Sequence, residues 1–262
     1  LNACVLGKDA VPGTAEFDLF VKEVHKEMTV KTGQKCTAVR RVLVPENTID
    51  KVQEALISRL EKTAIGNPEN KEVRMGALAT KIQVERVKEN VELLMKSQEK
   101  VYGSLEKIPL IDAQFEKGCF FSPILFRNEQ PFLKDDVHHV EAFGPVSTLI
   151  PYKDMEEAVA IVEMGKGSLV TSIVTNDDEI AKTFVTEAAH MNGRILVLNE
   201  RCAKESTGHG SPMPLLTHGG PGRAGGGEEM GGIRGIKHYL QRTAIQGHPE
   251  TITRITEQFQ VG

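Results

Sequence analysis

The sequence predicts an α/β fold in which a mainly parallel central sheet is flanked by helices. Three observations lead there. Short apolar runs of strand character alternate with amphipathic segments of helical period along most of the chain. Proline, glycine and Gly-Asn-Pro turns separate them, so each run reads as its own element. Residues 205–232 break the alternation: ten glycines and three prolines without any period read as one long loop.

Taken in order, the chain opens at Leu1-Asn2-Ala3-Cys4-Val5-Leu6 inside a strand and without a Met, which reads as a piece of a longer protein. Phe17, Phe20, Val21, Val24 and Met28 recur at helical spacing and predict a helix over 16–30, stopped by Gly33. A strand over 39–44 ends at Pro45. Asn47 or Thr48 caps a second helix over 48–63, with Ile49, Val52, Leu56 and Leu60 on one face. Gly66-Asn67-Pro68 is a turn, and Val84, Val87, Val91 and Leu94 mark a third helix. Residues 99–135 read as irregular, with short strand-like pieces. Strands over 146–151, 169–175 and 195–198 then alternate with helices over 156–164 and 179–191. After the loop, residues 233–246 return to helix and strand, and His248-Pro249 opens a last short helix.

With 262 residues the chain can form one large or two medium domains. Its 40% hydrophobic and 26% charged residues are ordinary for a globular protein. A net charge of −4 gives no reason to expect nucleic acid or an anionic membrane as partner, and no apolar run approaches membrane-spanning length. Four widely spaced cysteines without a CxxC pair fit reduced thiols in a cytoplasm better than disulfides or zinc.

Of these cysteines, Cys36 is the informative one. It lies in Lys31-Thr32-Gly33-Gln34-Lys35-Cys36-Thr37-Ala38-Val39-Arg40, after a helix and before a strand. A side chain at such a junction can face a cleft, and a thiolate there is a nucleophile. Taken alone, a single Cys reads equally well as a small buried hydrophobe.

The wider context separates the two readings. Gly33-Gln34-Lys35-Cys36 is followed by Glu141-Ala142-Phe143-Gly144-Pro145, then Ile195-Leu196-Val197-Leu198-Asn199, then Gly219-Gly220 and Gly225-Gly226-Gly227-Glu228-Glu229-Met230-Gly231. In this order and spacing the chain resembles the catalytic half of the aldehyde dehydrogenase superfamily, over essentially its whole length. The runs from Ala203 to Pro212, His218 to Glu229 and His238 to Gly247 are similar to one branch, the dehydrogenase domains of bifunctional phenylacetate-degradation proteins. The resemblance implies an aldehyde dehydrogenase catalytic domain over 1–240, with the NAD(P)-binding domain largely upstream. It implies an oligomerisation strand and the start of a linker over 241–262, and hence a homo-oligomer.

The same resemblance implies the chemistry. Cys36 adds to the aldehyde, hydride passes to NADP (or NAD), and water hydrolyses the resulting thioester. Glu141 accepts hydrogen bonds from the nicotinamide ribose, and Phe143 packs beside the nicotinamide. Away from this motif, Glu141 would read as a solvated carboxylate and Phe143 as a core aromatic. The water-activating Glu and the second oxyanion donor, an Asn, fall upstream of Leu1. Asn199 falls beside the expected pocket, either supporting its loops or forming a turn, and Gln83 where some relatives contact the adenosine ribose. The implied substrate is a CoA-linked semialdehyde of aerobic phenylacetate degradation. A CoA-acylating dehydrogenase or another cysteine-dependent acyl-transfer enzyme is the alternative; a Cys–His version has no clear histidine. In either case the 262 residues alone are expected to be inactive.

Several features point elsewhere and are discounted. His209, His218 and the pair His138-His139 lack the spacing and company of metal ligands, so no metal is expected. The glycines from Gly219 to Gly227 lack the Gly-Lys-Ser/Thr ending of a phosphate loop. Arg223 and Lys204 read as solvated loop cations or as partners for CoA phosphates. Cys4, Cys119 and Cys202 read as structural.

Overall fold

The computed structural model describes residues 1–211, 218–225 and 239–261. Eight strands form one sheet in the order β3-β4-β5-β2-β1-β6-β7-β8. They are β1 (Ala3–Leu6), β2 (Arg41–Pro45), β3 (Glu99–Tyr102), β4 (Ile124–Arg127), β5 (Val146–Tyr152), β6 (Ser168–Val174), β7 (Asn192–Leu198) and β8 (Ala244–Gln246). Every pairing is parallel except β3 with β4. The predicted fold class is therefore the observed one.

Helices cover both faces. Alternate residues of β1 serve opposite layers, as the two-residue period of a strand requires. Cys4 and Leu6 join Phe20, Val24, Leu56 and Leu60 of α1 (Ala15–Thr29) and α2 (Ile49–Glu61). Ala3 and Val5 join Ile161 and Phe184 of α4 (Met155–Glu163) and α5 (Asp178–Ala188). Val87, Val91 and Leu94 of α3 (Lys81–Leu94) cover Ile124 and Phe126 of β4. Thr14, Thr80, Asp154 and Asp177 each accept a hydrogen bond from a first-turn N–H of the helix they precede, worth roughly 1 kcal/mol apiece. Thr48 does otherwise: its hydroxyl donates to the Pro45 carbonyl.

Some boundaries differ from the sequence reading. β2 begins at Arg41, because residues 37–40 form the approach to the strand. The helix predicted over 179–191 closes at Ala188 and tightens into a 3-10 turn over Ala189–Met191. The stretch expected to be irregular with short strand-like pieces supplies the four-residue strands β3 and β4, of which β3 is half-exposed. The helix expected within 233–246 falls mostly outside the described residues. β8 pairs with β7 of the same chain at the end of the sheet, and α6 (Pro249–Thr256) follows. Among the described residues no helix is long and apolar enough to cross a membrane.

A buried cation fixes how the sheet meets its helices. Arg41 is fully buried, and burial pushes its pKa down to about 9. It reaches the Leu1 carbonyl twice (2.7 and 3.2 Å), the carbonyls of Ile161 (2.7 Å) and Val162 (3.1 Å), and His138 Nδ1 (3.2 Å). A guanidinium only donates, so His138 Nδ1 must accept; the ring proton then sits on Nε2, which donates to the Pro131 carbonyl (3.1 Å). Burial first, and Arg41 second, lower the His138 pKa to about 3.

The sign of the resulting pH dependence follows. Between pH 6.5 and about 3 the unfolded chain binds a proton at His138 that the folded chain refuses, so native stability is lost as pH falls through that window. Urea titrations should show His138→Gln less stable than wild type near pH 7, with the gap closing by up to about 1.4 kcal/mol per pH unit below 6.5. A gap independent of pH would contradict the neutral, buried His138.

Candidate active site

Cys36 lies at the amino ends of the parallel strands. It stands on the turn before β2, and the cleft it faces also receives Leu1 and Asn2 from before β1, Glu141 and Phe143 from before β5, and Gly167, Ser168 and Leu169 around the start of β6. Ligands of open α/β sheets more often sit at the carboxyl ends, so this placement is a property of this particular topology.

The approach to Cys36 is strained. Lys31, Thr32 and Gly33 follow α1 with φ of 54°, 55° and 67°, a left-handed turn that costs on the order of 1 kcal/mol or more at each non-glycine residue. Side chains hold it. Thr32 Oγ1 donates to the Gly76 or Ala77 carbonyl (3.1 and 3.2 Å). Gln34 donates to the Lys31 carbonyl (3.0 Å) and accepts from the Ala79 N–H (2.9 Å). Gly33 is required twice over, because a Cβ would also lie 2.2 Å from the Gly144 carbonyl oxygen.

That near-contact joins the Cys36 loop to the Glu141–Pro145 segment, and Arg40 spans the joint. Its Nη2 donates to the Gly33 carbonyl (2.7 Å) and its Nη1 to the Gly144 carbonyl (2.6 Å). Helix α3 supports the segment from the other side. Gln83 donates to the Phe143 carbonyl (2.7 Å), Asn90 to the Glu141 carbonyl (3.2 Å), and Val87 packs where a Gly144 Cβ would stand.

The Cys36 turn is also tied from below. Asn2 Nδ2 donates to the Cys36 carbonyl (2.8 Å) and to the Ala38 carbonyl (3.1 Å). Lys35 pairs with Glu27 of α1 at 2.7 Å, with both side chains largely or wholly buried. Burial raises the Glu27 pKa and Lys35 opposes the rise. Thr37 donates to the Gly210 carbonyl (3.1 Å). The 208–211 stretch is itself fixed, for Glu23 accepts the His209 N–H (2.7 Å) and Arg194 donates to the His209 carbonyl (2.6 Å). The residues flanking Cys36 thus point inward, while Cys36 is exposed.

The cleft holds about 200 Å³. Phe143 is 36% exposed, so it is no core aromatic. Glu141 is partly exposed, with Oε1 3.6 Å from Arg40 Nε. The Cys36 N–H donates to none of the described residues. A thiol, a carboxylate and an aromatic face therefore meet in one opening. No histidine lines it among the described residues.

The three sequence-predicted site residues share this cleft. Asn199 does not: it follows β7 and so sits at the carboxyl end of the sheet, opposite Cys36. There it is buried, accepts from the Cys202 N–H (3.3 Å) and donates to Thr251 (3.4 Å), which is the turn-forming reading. Gln83 holds a backbone carbonyl rather than standing free. Arg223 is exposed, as a loop cation would be, and it donates to the His138 (2.9 Å) and His139 (3.4 Å) carbonyls at the rim of the cleft, while Lys204 is exposed beyond β7. His209 is fully buried against Ser172 (2.6 Å). The glycines from Gly226 to Gly231 lie outside the described residues. Sequence reasoning missed Asn2, Arg40 and Asn90. Only Asn2 gave a signal, as a polar residue at the mouth of an apolar strand.

Residues 7–245 match the aldehyde dehydrogenase family. The chain is 41% identical over 221 residues to a 3,4-dehydroadipyl-CoA semialdehyde dehydrogenase of Aromatoleum evansii, covering 84% of this chain and 43% of that protein. It is 46% identical over 186 residues to Protein MaoC of Klebsiella aerogenes, covering 71% and 54% respectively. The fold is similar to a crystal structure of a betaine aldehyde dehydrogenase from Staphylococcus aureus in complex with NAD+, with a TM-score of 0.74 at 22% identity over 91% of this chain and 44% of that one. The chain thus spans about half the length of the proteins it matches.

The Lys35–Glu27 pair makes a stability prediction. Lys35→Met leaves an uncompensated carboxylate in the core and should cost about 3–5 kcal/mol in urea unfolding. Lys35→Met combined with Glu27→Leu should recover much of that loss. Equal losses in the single and double variants would contradict the coupling.

Proposed function

The chain belongs to the aldehyde dehydrogenase family, and on that premise we propose that it is the catalytic part of an enzyme oxidising a CoA-linked semialdehyde to the acid with NADP. The observation that carries the reading is the meeting of Cys36, Glu141 and Phe143 in one cleft. The 3,4-dehydroadipyl-CoA semialdehyde dehydrogenase relative supports the substrate class, and aerobic phenylacetate degradation is the pathway the branch resemblance suggests.

The residues present suit the reactive end of a nicotinamide cofactor. Phe143 offers an exposed aromatic face, and Glu141 a carboxylate acceptor for ribose hydroxyls with a buried cation behind it. The choice of NADP over NAD rests on the resemblance. When bound, the cofactor accepts the hydride.

Cys36 Sγ, as the thiolate, adds to the aldehyde carbon; the carbonyl π pair moves to oxygen and a thiohemiacetal forms. The Cys36 N–H is a donor for that oxyanion, and removing one such donor typically costs roughly 3 kcal/mol. Loss of hydride from the same carbon restores the carbonyl as a thioester on Cys36. Water then attacks, the C–S bond breaks, and acid and thiol are released. Among the described residues no histidine lines the cleft, so a Cys–His acyl transferase has no support there.

We read residues 1–240 as the catalytic domain and 241–262 as an oligomerisation strand and the start of a linker. The support is the position of β8 as the last strand of the sheet, where a second copy of the chain has an edge to meet. A cytoplasmic, homo-oligomeric protein fits this reading.

The test uses the full-length protein with NADP and a CoA semialdehyde. Cys36→Ala should lower kcat/KM by about a thousandfold or more, and the wild type should release free acid. Retention of the wild-type rate by Cys36→Ala would falsify the assignment. A product that appears only as a new CoA thioester would support the acylating alternative.

A further inference from the structure

Arg40 carries an unexplained feature. It is 5% exposed, and among the described residues its buried Nε has no hydrogen-bond partner. Its two terminal nitrogens each donate to one carbonyl, of Gly33 and of Gly144, which fixes the plane of the guanidinium. Its Nε then lies 3.6 Å from Glu141 Oε1. Its Cζ lies 5.5 Å from the centre of the Phe143 ring, within cation–π range. Burial lowers the Arg40 pKa, and Glu141 is the largest influence opposing that. One buried cation therefore touches the backbone ahead of the nucleophile, the carboxylate and the aromatic ring.

From this geometry we infer that Arg40 is the positioning residue for the cofactor end of the site, locking Glu141 and Phe143 to the loop that presents Cys36. The inference rests on the cofactor reading of Glu141 and Phe143. Arg40 itself touches neither substrate nor cofactor. Its clamp sets the height of the Glu141–Pro145 segment over the nucleophile loop, and its charge and the unfilled reach of Nε hold the Glu141 carboxylate toward the cleft. A lysine cannot do this, because a single ammonium on a flexible stem does not span two carbonyls in a fixed plane.

The test measures oxidised NADP binding to the full-length protein by titration calorimetry, together with the rate of Cys36 alkylation by iodoacetamide. Arg40→Met and Glu141→Gln should each weaken NADP by about tenfold, and the double variant should be little weaker than the worse single, since contacting residues are coupled. Arg40→Met should also change the alkylation rate, whereas Glu141→Gln should leave it close to wild type. Additive losses would overturn the inference. So would wild-type NADP affinity in Arg40→Met alongside weakened binding in Glu141→Gln, and that result leaves the cofactor reading standing. Unchanged affinity in Glu141→Gln overturns the cofactor reading and this inference with it. If Arg40→Met does not fold, Arg40→Lys carries the test: it should bind NADP more weakly than wild type, and wild-type affinity with wild-type alkylation overturns the proposal.

Discussion

The backbone of Gly33 rests against the backbone of Gly144, and the rest of the site depends on that contact. The two residues are far apart in sequence and approach so closely that a Cβ on Gly33 would meet the Gly144 carbonyl, while a Cβ on Gly144 would meet Val87 on the other side. Both glycine carbonyls accept from one side chain. The buried Arg40 guanidinium reaches them together, because its two terminal nitrogens present donors from one rigid plane. The two glycines and the arginine thus form one device, and Cys36 and Glu141 each lie a few residues from it.

The device sits on a foundation with its own tension. A left-handed turn that includes Thr32, a β-branched residue, is held open just before the nucleophile. Such a conformation persists only where the surroundings over-determine it. Here the surroundings are α1 behind, the 76–79 segment beside, and a mostly buried lysine–glutamate pair below. Since Lys35, Thr37 and the Cys36 carbonyl are all engaged inward, the Cys36 side chain and its own N–H remain for the cleft. The arrangement is one in which preorganisation is achieved by neighbours rather than by the reactive residue.

Much of this was legible in the sequence, for identifiable reasons. The strands and helices that carry the core declare themselves because each keeps its period over enough residues; α1 repeats its apolar spacing from Phe17 to Met28. β3 and β4 registered only as strand-like pieces within an irregular stretch, and β3 is half-exposed and carries no apolar alternation. Cys36, Glu141 and Phe143 were picked out by motif order, which survives without knowledge of the fold, and the three line one cleft. Asn199 was misplaced because motif order says nothing about which end of a parallel strand a residue occupies. Arg40 was passed over because an arginine at the mouth of a strand reads as a solvent cation. Its value lies in carbonyl directions that only tertiary structure supplies.

The central claim is that Cys36 is the attacking thiol, presented by its neighbours into the cofactor cleft. The most direct measurement is a single-turnover rapid quench of the full-length protein with NADP and a CoA semialdehyde, followed by peptide mass mapping. The account predicts an acyl group on the peptide bearing Cys36, appearing with the first equivalent of NADPH and then decaying. Formation of NADPH within a single turnover without an adduct there, or with the acyl group on Cys119 instead, would contradict it.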